Sequence, residues 1–281
     1  MLLTKQQIKE FIRKLGQPQA SVFLNRFFNS YRSKLNSSDV KSLYDSDYFE
    51  RVDSHPTIIT VNNKYKINTH NLFAYEYLLP KVNKNTRILD VGCGKGEFVL
   101  AMAAKNTAFI MGIDFSEEVI SAAKKKSENS NLPCHFLKCD ASTFKFEAPF
   151  DFITLNDVSE HLSDAELAQL CNNLKRYLKD NGEIIIHTPN GLSLANETAQ
   201  SISFSLYKLY HRLVKGWKGL ERSADHLYYD QVHINIKSYD QIKSFLKSLG
   251  FKTRVKYDGR SRWFFLNRFS SHMLVLAQKD K

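Results

Sequence analysis

Residues 87–98 carry the side chains whose types and spacing point most directly to ligand binding. The run reads Arg-Ile-Leu-Asp-Val-Gly-Cys-Gly-Lys-Gly-Glu-Phe, with one acid, Asp90, and glycines at Gly92, Gly94 and Gly96. The apolar start is typical of a buried strand, and alternating glycines let the backbone turn tightly and approach a ligand. A helix expected directly afterwards directs its N-terminal amides to the same place. The run therefore predicts a turn that binds a nucleotide-like cofactor.

The identity of the cofactor is narrowed by Glu97. A dinucleotide fingerprint has glycine three residues after Gly94, where this chain has Glu97, and a phosphate-binding P-loop has Lys and Ser or Thr after its last glycine. An acid in the turn suits a cation better than a pyrophosphate. The spacing of Asp90, Gly92, Gly94 and Gly96 resembles motif I of the class I S-adenosylmethionine-dependent methyltransferases. A decayed, non-enzymatic cofactor site is the alternative, and the intact motif disfavours it.

Further cofactor contacts are expected where later strands end, because ligands of open α/β sheets bind beyond the carboxyl ends of the strands. Asp114 could accept hydrogen bonds from both ribose hydroxyls, or it could cap the next helix, which Ser116 could also do. The resemblance implies that Asp140 contacts adenine. The predicted cofactor-binding residues are Asp90, Gly92, Cys93, Gly94, Gly96, Asp114, Phe115, Asp140, Ala141, Asn156 and Asp157.

Residues 70–280 resemble the small-molecule and sugar O-methyltransferases that include the ubiquinone-biosynthesis enzyme. The resemblance is carried by the Asp-Val-Ser-Glu-His-Leu run at 157–162, the Thr-Pro-Asn turn at 188–190, and Val-His at 232–233 ahead of a helix that ends in Leu-Gly-Phe. It implies S-adenosylmethionine as cofactor and S-adenosylhomocysteine as product. The acceptor is expected to be a sugar, a lipid- or nucleotide-linked glycan precursor, or another small molecule, in polysaccharide biosynthesis.

His161 is the first candidate for the base that deprotonates a hydroxyl acceptor, and His233 is the second. Histidine titrates near neutral pH, and both lie near the expected mouth of the site. The alternative is a structural role for His161, at a helix start or paired with Glu160 or Asp157.

A metal-dependent mechanism is the second hypothesis. Asp157, Glu160, His161 and His233 resemble the Glu-x-x-Glu-His and distant His that bind a divalent metal in small-RNA 2′-O-methyltransferases. The first acid is Asp where that family has Glu, and the mixed ligands suit magnesium or manganese imperfectly. The main prediction is therefore a site without metal, with RNA 2′-O-methylation as the alternative.

The remaining sequence predicts the elements that hold these residues in place. Alternation of strands and helices after residue 87 is typical of a parallel sheet with right-handed crossovers. The resemblance implies an α/β fold with a doubly wound, seven-stranded, mostly parallel Rossmann-like sheet whose last strand is antiparallel. Predicted strands are 88–91, 109–113, 135–138, 150–155, 183–187, 252–257 and 272–278, and predicted helices are 98–104, 117–129, 164–178 and 239–249.

Two domains are predicted, an N-terminal helical cap over residues 1–80 and a cofactor-binding core over 81–281. Thr4 and Gln7 have the spacing of a capping box. The predicted cap comprises helices over 4–15, 21–35 and 69–80, an aromatic-acidic loop at 44–50 and an irregular stretch to 68.

A helical insertion is predicted over residues 192–224. Its 201–220 segment places Leu and Trp on one face and Lys and Arg on the others, which is typical of a helix at a membrane surface. The segment could therefore contact an anionic membrane or form a lid over the acceptor. Arg260, Arg262 and Trp263 could bind an anionic or sugar substrate.

The net charge of +11 is unevenly distributed, with an acidic core between basic flanks. This favours a cationic cofactor and an anionic partner, although solvated lysines would give the same balance. A nucleic-acid partner is disfavoured because no RNA-binding module is recognisable. The four cysteines lack metal or disulfide spacing, and neither a signal peptide nor a membrane span is indicated, so a cytoplasmic protein is expected, free or peripheral to the membrane.

Overall fold

A computed structural model describes most of the predicted core and parts of the N-terminal region. The described residues are 3–16, 20, 23–24, 27–28, 35, 40, 58–61, 65–105, 109–191, 232–257 and 272–280. The predicted loop at 44–50, the 192–224 insertion, residues 260–263 and most of the predicted helix over 21–35 lie outside them.

A seven-stranded sheet forms the centre of the fold. Its spatial order is β5-β4-β3-β6-β7-β9-β8, and every neighbouring pair is parallel except the two that involve β9. The strands are β3 Arg87–Val91, β4 Phe109–Asp114, β5 His135–Lys138, β6 Phe150–Asn156, β7 Leu178–Pro189, β8 Phe251–Tyr257 and β9 His272–Lys279. The predicted mostly parallel sheet with its last strand inserted antiparallel is confirmed.

Helices cover both faces of this sheet. They are α2 Thr69–Leu78, α3 Glu97–Ala103, α4 Glu117–Ser130, α5 Asp164–Arg176 and α6 Tyr239–Ser248. Leu89 of β3 packs in one apolar cluster with Leu167 of α5, whereas the next residue back, Ile88, packs in another with Phe98 of α3. Because successive strand residues point to opposite faces, the two clusters confirm the doubly wound arrangement.

Strand β7 begins earlier than predicted. Leu178 pairs with Phe150, and the next registered pair is Glu183 with Phe152, so the register shifts between them. The polar residues 179–182 at this irregularity explain why the apolar pattern indicated a strand only from Glu183. Helix α5 accordingly ends at Arg176.

The N-terminal part contains the helix α1, Lys5–Leu15, with the predicted Thr4–Gln7 capping box. Where an irregular stretch was predicted, β1 (Ile58–Val61) and β2 (Tyr65–Asn68) form an antiparallel pair. Helix α2 shares an apolar cluster with the core. The boundary near residue 80 stays a prediction.

The cysteines of the core are free thiols, as predicted. Cys93 and Cys171 are buried, and Cys134 and Cys139 are half-buried. In the part of the chain that the structure describes, no helix has the length and apolar character needed to cross a membrane.

Candidate active site

The glycine turn after β3 is fixed by backbone hydrogen bonds to β4. The N–H groups of Gly92 and Cys93 both donate to the carbonyl oxygen of Ile113, at 2.8 and 3.0 Å. Gly96 has a left-handed φ of 81°, and a Cβ there would lie 2.6 Å from Cζ of Phe136. Glycine is therefore required at Gly96 both by backbone conformation and by packing.

Asp114, at the end of β4, holds the turn from its other side. Its carboxylate accepts from the N–H of Gly94 at 3.1 Å and from the N–H of Ser116 at 3.0 Å. Burial raises the pKa of Asp114. The helix cap is Ser116, whose side chain accepts from the N–H of Val119. The predicted alternative of Asp114 as the cap of α4 is therefore wrong, and its carboxylate is oriented beside the turn.

Asp90 lies beneath the turn in a buried network. It accepts from the Thr154 hydroxyl at 2.6 Å and from Nδ2 of Asn156 at 3.3 Å. Burial raises the pKa of Asp90 to about 7, and the charges of Asp114 and Glu97 add to the effect. The Oδ1 atom of Asn156 is buried without a hydrogen-bond partner among the described residues. A buried acceptor without a partner suits a ligand that brings a donor.

A cavity of about 140 Å³ opens beside this turn. Five predicted cofactor residues line it, and Asp114 brings its carboxylate there between apolar groups. Cys93, Gly94, Gly96 and Asn156 belong instead to the turn and the network beneath it. The predicted residues that line the cavity are Gly92, Asp114, Phe115, Asp140 and Ala141.

The wall supplied by α5 was not predicted from the sequence. The residues that line the cavity from α5 and the segment before it are Val158, Leu162, Glu166, Gln169 and Leu170. Glu166, Gln169 and Leu170 are three and four residues apart, so they share one face of the helix. That spacing was visible in the sequence, but nothing in it indicated that this face meets the cavity.

The cavity fits a cofactor that combines vicinal hydroxyls, a flat ring and positive charge. The carboxylate of Asp114 can accept from hydroxyls, and Phe115 and Ala141 provide apolar surface. The Asp114 carboxylate also favours a positive charge beside the turn, whereas Glu97 is paired with Lys126. Asp140 is exposed, and its Oδ1 atom accepts from the N–H and hydroxyl of Ser142.

Asp157 is turned towards β7 by an unusual backbone conformation. It has a left-handed φ of 53°, and its N–H donates to the carbonyl of His187 at 3.0 Å. Its Oδ1 atom lies 2.8 Å from Nδ1 of His187, whose ring stacks on that of His272. The structure thus pairs Asp157 with His187, which was not predicted because Asp157 follows β6 and His187 lies 30 residues later in β7.

Glu160, His161 and His233 form a second cluster beyond the ends of β6 and β7. One possible ligand atom from each lies within 4.8 Å of the others, and the rings of His161 and His233 are 4.9 Å apart. Burial lowers the pKa of His161 to about 4, so the ring is neutral at pH 7. Burial and the charge of Asp157 raise the pKa of Glu160.

The segment from Val232 to Lys237 is held onto this cluster by Asn235. The Asn235 N–H donates to the carbonyl of Glu160 at 2.9 Å, and its Nδ2 atom donates to the carbonyl of Leu162 at 2.8 Å. An ion pair between Lys237 and Asp164 at 2.7 Å adds to the attachment. These contacts place His233 beside His161 across 72 residues of chain. The sequence alone gave no signal for the role of Asn235.

The chain is similar to methyltransferases in sequence and in fold. Residues 82–248 match the model of the methyltransferase domain. The ubiquinone biosynthesis O-methyltransferase of Coxiella burnetii is 32% identical over 108 residues, which cover 38% of this chain and 45% of that protein. The demethylmenaquinone methyltransferase of Staphylococcus carnosus is 25% identical over 182 residues, which cover 61% of this chain and 70% of that protein.

Solved structures share the fold. The magnesium protoporphyrin IX methyltransferase of Synechocystis PCC 6803 has a TM-score of 0.56 at 16% identity, and the match covers 87% of this chain and 100% of that protein. The 1,6-didemethyltoxoflavin-N1-methyltransferase of Burkholderia thailandensis has a TM-score of 0.55 at 13% identity, with 87% of each chain covered. Since the domain model spans more than half of the chain, the chain belongs to the methyltransferase domain family, with the class I, Rossmann-like fold of S-adenosylmethionine-dependent methyltransferases.

Proposed function

We propose that this methyltransferase transfers a methyl group from S-adenosylmethionine to a hydroxyl oxygen of a small-molecule acceptor. The observation that carries the proposal is the buried carboxylate of Asp114. It is oriented by Gly94 and Ser116 at the edge of a partly apolar cavity. A carboxylate there can accept from both hydroxyls of a ribose.

The other cofactor contacts follow from the shape of the cavity. Phe115 and Ala141 would lie against the adenine, and Asp140, for which the resemblance implies an adenine contact, would lie at its edge. The Asp114 carboxylate beside the turn would favour the positive charge of the sulfonium. The Oδ1 atom of Asn156 would accept from the amino group, a donor that it lacks among the described residues.

The chemistry requires in-line alignment more than acid or base strength. When bound, S-adenosylmethionine supplies an activated methyl group: the acceptor oxygen forms the new carbon–oxygen bond, the carbon–sulfur bond breaks, sulfur keeps the electron pair, and the hydroxyl proton leaves. The protein's task is to hold the acceptor oxygen in line and to receive or release that proton. His161 and His233 are proposed to face this oxygen.

His161 is a weaker candidate for the catalytic base than the sequence indicated. A ring with a pKa of about 4 is neutral at pH 7 and is a weak proton acceptor. It can still donate a lone pair to an electrophile. The pair of histidines is therefore proposed to act on the acceptor oxygen, with His161 in an orienting or ligating role.

The acceptor class stays a proposal. Two relatives named above are a ubiquinone biosynthesis O-methyltransferase and a demethylmenaquinone methyltransferase, which supports a small-molecule acceptor. A sugar or glycan precursor in polysaccharide biosynthesis rests on the aromatic and basic residues at 201–220 and 260–263, which lie outside the described residues. The lid and membrane hypotheses for 201–220, and cytoplasmic localisation, likewise stay predictions.

RNA 2′-O-methylation remains the alternative that the acidic and histidine residues suggest. The geometry favours it less than the sequence did, because Asp157, one of its four expected ligands, is paired with His187. The basic flanks that would contact RNA are largely outside the described residues.

A labelled-methyl transfer assay tests the proposal. Purified protein is incubated with labelled S-adenosylmethionine and four acceptor sets: phenols and catechols, nucleotide sugars, lipid-linked saccharides, and RNA. We expect label on an oxygen of a small acceptor, with the position read by mass spectrometry. Label only on nitrogen or carbon would overturn O-methylation, and label only on RNA would establish the alternative. The matched control is Asp280→Asn, which removes a surface carboxylate paired with Lys252 and should leave transfer unchanged.

A further inference from the structure

Three possible metal-ligand atoms lie close together beyond the ends of β6 and β7, on the side proposed for the acceptor. Glu160 and His161 lie in the turn after β6, and His233 comes from the segment that Asn235 attaches to that turn. Their possible ligand atoms lie within 4.8 Å of one another. A tetrahedral metal ion with bonds of about 2.1 Å separates its ligands by roughly 3.4 Å. Small side-chain rotations would bring the three atoms to that spacing.

The surroundings orient two of these ligands. Nδ1–H of His161 donates to the carbonyl of Val232 at 3.2 Å, which puts the lone pair of the neutral ring on Nε2. Metal-binding histidines are commonly oriented in this way by a backbone carbonyl.

The carboxylate of Glu160 is supported on one oxygen only. Its Oε2 atom accepts from the hydroxyls of Ser159 at 3.3 Å and Thr188 at 3.1 Å. The side chain is only 1% exposed, and its Oε1 atom has no hydrogen-bond partner among the described residues. A buried oxygen without a donor is costly, and a cation at the cluster would satisfy it.

Asp157 is not part of this ligand set. Its Oδ1 atom lies 2.8 Å from Nδ1 of His187, and its backbone is held to the carbonyl of the same residue. The cluster therefore has three ligands, where the sequence pattern indicated four.

We propose that Glu160, His161 and His233 bind a divalent transition-metal ion, with Zn²⁺ favoured over Mg²⁺ and Mn²⁺. Two imidazoles and one carboxylate suit Zn²⁺, and three protein ligands leave a coordination position for another oxygen. This inference rests on the proposed function, because the oxygen is that of the acceptor hydroxyl. The ion orients that hydroxyl and lowers its pKa, so that its proton passes to water as the carbon–oxygen bond forms.

Metal binding is tested with Co²⁺ and Zn²⁺ alone, on the full chain after treatment with a chelator. Co²⁺ gives a visible absorption band on binding, and Zn²⁺ is followed by calorimetry. We expect one ion per chain, with affinity lowered at least about 100-fold in Glu160→Gln and His233→Ala. Asp157→Asn should stay within a few-fold of wild type. The matched control is His135→Ala, which removes an exposed imidazole on β5.

Several results would overturn the inference. They are no metal binding by a folded wild type, equal binding by Glu160→Gln, or a loss in Asp157→Asn as large as in His233→Ala. S-adenosylhomocysteine is titrated into the same samples. Cofactor binding without metal binding refutes the metal site and leaves the proposed function standing, whereas metal binding without cofactor binding refutes the proposed function. Thermal unfolding of each variant shows whether a loss reflects misfolding.

Discussion

The proposed site has a cofactor side, around the glycine turn, and an acceptor side, around Glu160, His161 and His233, and the two are built in different ways. The cofactor side uses short stretches of chain: the turn after β3 and the end of β4 are linked by backbone hydrogen bonds and by Asp114. The acceptor side gathers side chains from distant segments, since contacts of Asn235, Lys237 and Val232 hold the segment that carries His233 beside Glu160 and His161. The cofactor side therefore depends on backbone conformation, and the acceptor side depends on tertiary docking.

This difference predicts that the two sides can be impaired separately. Substitutions of the acceptor-side histidines should leave cofactor affinity intact, because those rings lie in the cluster with Glu160, whereas backbone groups of β4 and the Asp114 carboxylate hold the glycine turn. Substitutions in the turn should affect stability and cofactor binding together.

The largest expected effect comes from the acceptor side. His161→Ala and His233→Ala should each lower turnover by a factor of roughly a hundred to ten thousand. Affinity for S-adenosylhomocysteine should change by no more than about twofold. Single-turnover kinetics and calorimetry on the same preparations measure the two quantities. Full activity in His161→Ala would show that this ring has no role in the reaction. A loss of S-adenosylhomocysteine affinity as large as the loss of turnover would show that the two sides cannot be impaired separately.

A pH effect is expected from Asp90 on the cofactor side. Its pKa is raised by burial to about 7 in the folded protein, and it is near its ordinary value of about 4 when unfolded. The folded state therefore retains a proton that the unfolded state releases, so stability conferred at low pH is lost as the pH rises between about 4 and about 7. Over this window wild type should lose up to about 4 kcal/mol relative to Asp90→Asn.

Denaturant unfolding of the cofactor-free protein measures this effect. The quantity to compare is the difference in unfolding free energy between wild type and Asp90→Asn at each pH, which removes the contributions of other titrating groups. Asn keeps an acceptor for the Thr154 hydroxyl. A difference that stays constant with pH would show that Asp90 is ionised in the folded protein.

A smaller effect distinguishes two glycines of the same turn. Gly96→Ala should destabilise the protein by about 3 kcal/mol, because φ is 81° and the new Cβ would lie 2.6 Å from Phe136. Gly94→Ala should cost about 1 kcal/mol, since φ is 52° but no atom lies within 4 Å of the new Cβ. Chemical denaturation of both variants tests the pair, and equal losses would mean that packing against Phe136 contributes nothing.

The same contrast explains what could be predicted from the sequence. The glycine turn, the strands around it and Asp114 were predictable because their signals lie within a few residues of each other. The pairing of Asp157 with His187 and the role of Asn235 depend on which distant segments pack together, and no local pattern encodes that. The β1–β2 pair was missed for a related reason, because strands of four residues give little periodicity.

Calorimetric titration of S-adenosylhomocysteine into wild type and Asp114→Asn tests the central claim most directly. Asn keeps the size of the side chain but removes the carboxylate that is proposed to bind the ribose hydroxyls. We predict one site per chain in wild type and an affinity at least about tenfold lower in Asp114→Asn, with Asp280→Asn unchanged. Absence of binding by folded wild type, or equal affinity in Asp114→Asn, would contradict the account.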